Sequence, residues 1–408
     1  MYSTYYKIRE AFSRNSFKAI AAALWLTFTA QSATAQTSAF DDVTARMAAA
    51  SMQGYTEVYD AEALSLKAES VPSDPEVEFE YLFPQSSGEL NRWSIGVSQE
   101  LPNIWKVRAN RQTVSALFDL QKLRYEEAVA SESYEAEQLV IQIIAARKQL
   151  KLLREIAGNV KELSEKYQMA YDKGEVSILD VNKLKIEYAR VLSACDAAEG
   201  ELYALIAEAV ATSGDEIKAA DFDAISEYPV RQLLPYANYL TALTNSAACR
   251  ADSIDLNVSR LREKIASKER IPSLSLGYVH AYEDGNHFNG FSAGLTLPVY
   301  SRKSGVQAAA YSTLAKYNEN DTKQRDRISA LGVDYHKAIA LKHQLDLLGP
   351  VIETTDNQRL LKLALDGGEI SLLDYIQETN YFLVAHQDYL TASRDYALAL
   401  SSLNRYSH

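Results

Sequence analysis

A nine-residue passage occurs twice in this chain, 194 positions apart: Asp172-Lys173-Gly174-Glu175-Val176-Ser177-Ile178-Leu179-Asp180 and Asp366-Gly367-Gly368-Glu369-Ile370-Ser371-Leu372-Leu373-Asp374. Duplication at so long a period means that the polypeptide holds two copies of one large unit and has to be read as a tandem. The passage has the chemistry of a tight turn between helices. Gly174 and Gly368 suit the position just past a helix C-terminus, where a left-handed backbone costs glycine little. Ser177 and Ser371 are placed to cap the next helix, and Asp180 and Asp374, three residues on, complete a Ser-x-x-Asp capping box. With Glu175 and Glu369 between glycine and serine, each copy is the tip of a helical hairpin.

Glycine (16) and proline (9) are sparse among 408 residues, which favours long uninterrupted helices. A formal charge of -12 argues against nucleic acid as a partner. Residues 1–35 have the pattern of an export signal: Lys7, Arg9, Arg14 and Lys18 precede an apolar run from Ala19 to Phe28, and Ala33-Thr34-Ala35 offers a small-residue cleavage site. That run is too short to span a bilayer, and no later segment reaches spanning length. What remains is a soluble exported protein or one that crosses a membrane as strands. Two cysteines, Cys195 and Cys249, allow a single disulfide in an oxidising compartment but no disulfide framework and no metal cage.

Along the chain, Ser38 to Ser70 reads as one helix, stopped by Pro72 and Pro75. A β-hairpin follows over about 77–99, with Val77, Phe79 and Tyr81 on the first strand and Trp93, Ile95 and Val97 on the second forming one apolar side. Leu101-Pro102 closes it, and a helical pattern runs from about Trp105 to the first tip. The second unit repeats this order: a helix from about Tyr236 to Lys268, a hairpin over about 273–297 with a polar loop from Ala281 to Asn289, closure at Leu297-Pro298, and a long helix to Gly368. Gly349-Pro350 is expected to kink that helix. The organisation is therefore a first repeat over 36–211, a connector over 212–235 with one short helix, and a second repeat over 236–408.

The helices carry heptads. Ile143, Ala146, Leu150, Leu153, Ala157 and Val160 alternate in steps of three and four, as do Val181, Leu184, Tyr188, Val191, Cys195, Ala198 and Leu202 after the first tip. The positions 194 further on are Tyr375, Glu378, Phe382, Ala385, Tyr389, Ala392 and Tyr396, with Glu378 the polar intruder. Helices of this length are rods on the order of 100 Å, which cannot fold into a globule.

Hairpins with one apolar side can satisfy their backbone in lipid only in a closed barrel, and membrane barrels need about eight strands or more. Four strands per chain therefore point to a barrel shared between chains. Trp93, Trp105, Tyr278, Tyr282, Phe288, Phe291 and Tyr300 lie near the strand ends, where an interfacial aromatic girdle would stand.

Helix, hairpin, long helix, glycine tip and returning helix, given twice behind an export signal, resembles the TolC family of outer-membrane efflux channels. The resemblance implies a mainly α fold with β, assembled as a homotrimer with a 12-stranded β-barrel in outer-membrane lipid and a 12-helix α-barrel in the periplasm. It also implies passive conduction, with tips docked on a periplasmic adaptor that joins the channel to an inner-membrane pump of the RND type. Gly174, Glu175, Ser177, Asp180, Gly368, Glu369 and Ser371 fall in those docking tips. Asp374 matches the first of two aspartates that ring the pore mouth in the family, and the second is Gln377 here, so these two are the expected constriction. Ile370 and Leu365 stand where an arginine and a tyrosine lock the closed tip, so the lock does not carry over. The phrase Gly-Glu-Ile-Ser-Leu-Leu-Asp resembles most the branch associated with heavy-metal exporters.

No phosphate loop, nucleophile motif or paired His/carboxylate spacing supports catalysis, and no cofactor is expected. His336 and His343, seven apart, read as solvated histidines rather than metal ligands. A soluble periplasmic coiled-coil adaptor or scaffold is the rival reading; it accounts for the heptads but leaves the duplicated hairpins without a purpose.

Overall fold

The computed structural model describes residues 35–69, 74–83, 91–101, 104–268, 272–283, 285–297, 303–354 and 357–406. All of the export signal but its last residue, Ala35, lies outside these residues, as do Pro72, Pro102, Pro298, Tyr300 and most of the first hairpin's turn. The elements are α1 (Ala35–Ser51), α2 (Gln53–Glu69), β1 (Glu76–Leu82), β2 (Arg92–Leu101), α3 (Ile104–Asp172), α4 (Ile178–Thr212), α5 (Tyr236–Asn245), α6 (Ala247–Lys268), β3 (Ser273–Glu283), β4 (Asn286–Thr296), α7 (Lys303–Thr354), α8 (Asn357–Asp366) and α9 (Leu372–Asn404). The 69 residues of α3 make a rod of about 100 Å. No helix among the described residues is long and apolar enough to cross a membrane.

Several boundaries differ from the sequence reading, each for a local reason. The helix read over Ser38 to Ser70 is two, parted at Met52. The hydrogen-bond ladder crosses this bend, since the Met52 N–H donates to Ala48 C=O at 3.1 Å and the Thr56 N–H to Met52 C=O at 3.2 Å. The helix from Tyr236 divides at Ser246, whose backbone is extended and whose Oγ accepts from the Cys249 N–H at 3.4 Å. Pro350, where a kink is expected, lies inside α7, which continues to Thr354 before α8 begins at Asn357. The connector holds two 3-10 turns, Gly214–Glu216 and Ala219–Phe222, in place of one short helix.

The connector folds back onto the middle of α3. Ile217, Phe222 and Ile225 are buried there with Phe40, Val43 and Met47 of α1 and Val140, Ile141, Ile143 and Ile144 of α3. Polar clips fix its path. Arg147 donates to the carbonyls of Phe222 and Ile225 at 2.5 and 2.9 Å, and Lys148 pairs with Glu227 at 2.5 Å. Deeper in, the buried Glu137 carboxylate pairs with Arg231 of the connector and accepts from the Ser401 hydroxyl of α9 at 2.6 Å, which ties three separate segments at one point.

The α4 seam follows the heptad reading: Val181, Leu184, Val191, Cys195 and Ala198 are all buried. On α9 the seam is displaced by one residue near the tip. Tyr375, Thr379 and Leu383 are buried there, while Glu378 stays in solvent and the two readings merge again at Ala392. An acidic side chain in a seam would lose its hydration, and a small rotation of the helix avoids that cost. Cys195 and Cys249 are both free thiols, in different core clusters.

Further along α9, His386 sits between two aromatic rings one turn either side of it, 5.5 Å from Phe382 and 6.3 Å from Tyr389. Burial pushes its pKa down, opposed by Glu155. A histidine held neutral by the fold disfavours the native state once the unfolded chain starts to take up a proton, below about pH 6.5. The melting temperature is therefore expected to fall between pH 7.5 and 5. In His386→Phe this drop should shrink, and an identical pH profile in the variant would remove His386 as its source.

The four strands form one antiparallel sheet in the order β1-β2-β3-β4, leaving β1 and β4 as edges. The stretch from Ala281 to Asn289, read as a loop, is mostly strand, because pairing continues out to Glu283 opposite Asn286 with a positive-φ Gly285 in the turn. Register aligns Tyr81, Trp93, Tyr282 and His287 in one row across all four strands, and Val77, Val97, Tyr278 and Phe291 in another. Leu101, Leu274 and Leu295 end the same face. The opposite face carries Glu76, Glu78 and Glu80 on β1 and small residues on the inner strands: Ser94, Gly96, Ser98, Ser275 and Gly277. Alternation thus separates a mainly apolar, aromatic side from a mainly polar, small one; Phe288, read as part of the aromatic girdle, falls on the second side, opposite Ala281.

Candidate functional site

The two hairpin tips share one backbone design. Gly174 and Gly368 have φ of +77° and +72°, and nothing lies within 4 Å of the Cβ that either lacks, so the backbone sign rather than space calls for glycine. The Gly174 N–H donates to Tyr171 C=O at 2.8 Å and the Glu175 N–H to Ala170 C=O at 2.9 Å. The Gly368 N–H donates to Leu365 C=O at 3.1 Å and the Glu369 N–H to Ala364 C=O at 2.8 Å. Both pairs make the nested closure of a Schellman motif, which satisfies carbonyls that the helix end leaves bare.

The next step divides the copies. Ser371 caps α9 with a full capping box: its Oγ accepts from the Asp374 N–H at 3.2 Å, and the Asp374 carboxylate accepts from the Ser371 N–H at 3.2 Å and from its hydroxyl at 2.6 Å. Ser177 caps α4 through the Leu179 N–H at 3.1 Å, but Asp180 does not reach back. It turns instead to Lys183, at 3.2 Å. The position matching Lys183 in the second copy is Gln377, so Asp374 has no cation three residues on and bonds to its own cap. Those bonds, the hydroxyl's first, hold the Asp374 carboxyl below its ordinary range.

The two hairpins meet just above their tips. Leu163 of α3, Leu184 of α4, and Leu372 and Tyr375 of α9 are buried together, with Leu361, Leu365 and Ile370 packed against them. Around this plug, Lys362 of α8 reaches Glu162 of α3 at 2.5 Å, and its hydrogen bond lowers the Glu162 pKa. Lys166 bridges from α3 to Asp366 at 3.7 Å. On the other flank Arg190 of α4 pairs with Glu187 and also bonds Asn380 of α9.

The sequence matches no protein-family model and no curated protein. Solved structures do match over nearly the full length. The outer-membrane channel OprN superposes with a TM-score of 0.73 at 13% identity, covering 92% of this chain and 92% of its own. The Campylobacter jejuni CmeC outer membrane channel gives 0.72 at 15% identity, covering 90% of this chain and 85% of its own. CusC, described with its transmembrane channel formation, gives 0.71 at 12% identity, covering 90% and 95%. The chain has the TolC fold.

Within the TolC fold, Gly174, Glu175, Ser177 and Asp180 form one tip and Gly368, Glu369, Ser371 and Asp374 the other, and the tip core joins their helices. Gln377 is exposed one turn into α9. Ile370 and Leu365 take no polar role; they close the apolar plug. Lys183 and Arg190 escaped the sequence reading. Comparing each first-copy residue with the one 194 later exposes Lys183 against Gln377, whereas Arg190 becomes visible only once α4 and α9 are side by side.

Proposed function

We propose that the chain is one third of an outer-membrane channel that conducts solutes passively from the periplasm to the exterior as the outlet of a tripartite efflux system. The amphipathic sheet with two open edges carries this reading. Unpaired edge strands invite pairing with another chain, and joining β1 of one copy to β4 of the next closes a barrel. From the Leu274 row to the Tyr282 row the apolar side extends about 26 Å along the strand, or about 20 Å once tilted, close to the apolar band of known barrels. Its distal row, with Tyr81, Trp93 and Tyr282, is aromatic as an interfacial girdle would be. The side chain of Trp105 lies outside what the structure describes. Large apolar side chains left exposed on the rods, Tyr311, Leu314 and Tyr317 of α7 and Ile186 and Tyr203 of α4, fit burial against neighbouring copies.

In this reading 36–211 and 236–408 are the two repeats, and 212–235 girdles the rods at mid-height. The tips face the periplasmic adaptor and, beyond it, the inner-membrane pump, and they form the pore mouth. Asp180 is compensated by Lys183, whereas Asp374 has no cation three residues on and keeps its charge at the mouth, with Gln377 a turn further in. Three copies of Asp374 around a narrow opening favour cations over anions. Single-channel recording of Asp374→Asn is expected to lower the cation-to-anion permeability ratio at least about threefold; an unchanged ratio would end the pore role. Because Ser371 holds this carboxyl down, the preference of the native channel should stay flat through mildly acidic pH and fall only below the ordinary aspartate range, about 3.9. Membrane fractionation separates the channel from a soluble scaffold: recovery wholly in the soluble periplasm would support the scaffold.

A further inference from the structure

The apolar side of the sheet ends, at the hairpin turn farthest from the helices, in polar groups that neither girdle nor conduit requires. His280 of β3 and His287 of β4 are diagonal neighbours on that side, with His280 opposite Asn289 and Tyr282 opposite His287. Their rings lie 5.4 Å apart at 24°, and His280 Nε2 is 3.4 Å from His287 Nδ1. The Asn289 side-chain oxygen accepts from the Tyr278 hydroxyl at 2.8 Å and lies 2.7 Å from His280 Nδ1. A carbonyl oxygen can only accept, so this contact places the proton of neutral His280 on Nδ1 and makes Nε2 the lone-pair nitrogen, which faces His287 Nδ1. Orientation of a ligand imidazole by a hydrogen bond from its other nitrogen is the usual support of metal-binding histidines.

We infer that His280 and His287 form a binding site for an imidazole-preferring divalent transition metal at the outer rim of the barrel. Two nitrogens bound at about 2.0–2.1 Å to one tetrahedral ion lie about 3.3–3.4 Å apart, the separation found here; with the His287 proton on Nε2 and its ring turned, both lone pairs can reach a common ion. The described residues hold no cluster of three or more metal-ligating side chains, so the site is a two-ligand one whose other positions go to water. Such a site exchanges its metal readily and prefers Cu2+ among the divalent ions. Both ligands come from one hairpin of one chain, so the site forms whether or not the chain conducts anything.

Trp93 supplies the readout, with its ring 5.6 Å from that of His280. In detergent-purified protein with Trp25 and Trp105 replaced by Phe, Cu2+ alone is expected to quench Trp93 fluorescence saturably at one ion per chain. His280→Gln and His287→Gln should each raise the half-saturating concentration at least tenfold. Electron paramagnetic resonance of the Cu2+ form should show two imidazole nitrogens on the metal, a measurement that needs no histidine variant. Quenching that never saturates, saturation unmoved by either substitution, or a spectrum with fewer than two nitrogens would overturn the site.

Discussion

Leu184→Ala is expected to remove about 3 kcal/mol from the packing of the tips and to leave the proposed channel leaky. The side chain is fully buried where α3, α4 and α9 meet nearest the tips, against Leu163, Leu372 and Tyr375. Deleting its three outer carbons opens a cavity that two capped helix starts are poorly able to close, because Ser177 and Ser371 fix where α4 and α9 begin. The ion pairs around the plug are too exposed to compensate, since water screens such surface pairs. Hydrogen exchange over 178–190 and 372–383 should accelerate by about a hundredfold in the variant. Leu184→Ile, which keeps the volume, should stay near the parent. Equal exchange in the alanine variant and the parent would mean that the hairpins are held by something other than this plug.

Gly277→Val is expected to abolish assembly of the proposed barrel. A Cβ at Gly277 would lie 2.6 Å from Ser292 Oγ, 2.8 Å from Val97 O and 3.0 Å from Ser98 Cβ, and the oxygen of Val97 belongs to a neighbouring strand's backbone that cannot step aside alone. Overpacking of this kind costs about 3 kcal/mol, spent in a sheet whose edges still have to find partners. Neighbouring glycines grade the effect. At Gly96 a Cβ would meet Val279 Cγ2 at 3.4 Å and at Gly290 nothing within 4 Å, so Gly96→Ala should be mildly affected and Gly290→Ala should assemble normally. Detergent-resistant oligomer in the membrane fraction is the measure, and full assembly of Gly277→Val would show that strands β2 and β3 are not held at the spacing described.

The proposed conduit combines two parts with different physical origins. The sheet sorts its side chains by the two-residue period of a strand, so one side can meet hydrocarbon while Glu76, Glu78 and Glu80 and the small residues beside them face water. The rods sort theirs by heptads, and the chain alternates between the two schemes twice. Negative charge at both ends of the path, Asp374 at the tips and the β1 glutamates in the barrel, agrees in sign, so a solute that passes one is not repelled by the other.

The repeated passage, the heptads and the strand alternation are local patterns, and they determined the element order, the α4 seam and the glycine turns from the residues alone. A left-handed turn, a seam and a strand face each depend on neighbours within a few positions, so one chain read from end to end suffices for them. Pairing among distant segments was decided elsewhere. That Asp180 turns to Lys183 while Asp374 turns to Ser371, that α9 rotates to keep Glu378 wet, and that Ile370 and Leu365 fill an apolar plug follow from which helices the fold sets side by side. The strands reach Glu283 and Asn286 because register brought His280 opposite Asn289 and completed a row of bonded polar groups that reads, in one dimension, as a loop. Local periodicity decides which face of an element is apolar; only tertiary packing decides what that face, and each charge on its margin, will touch.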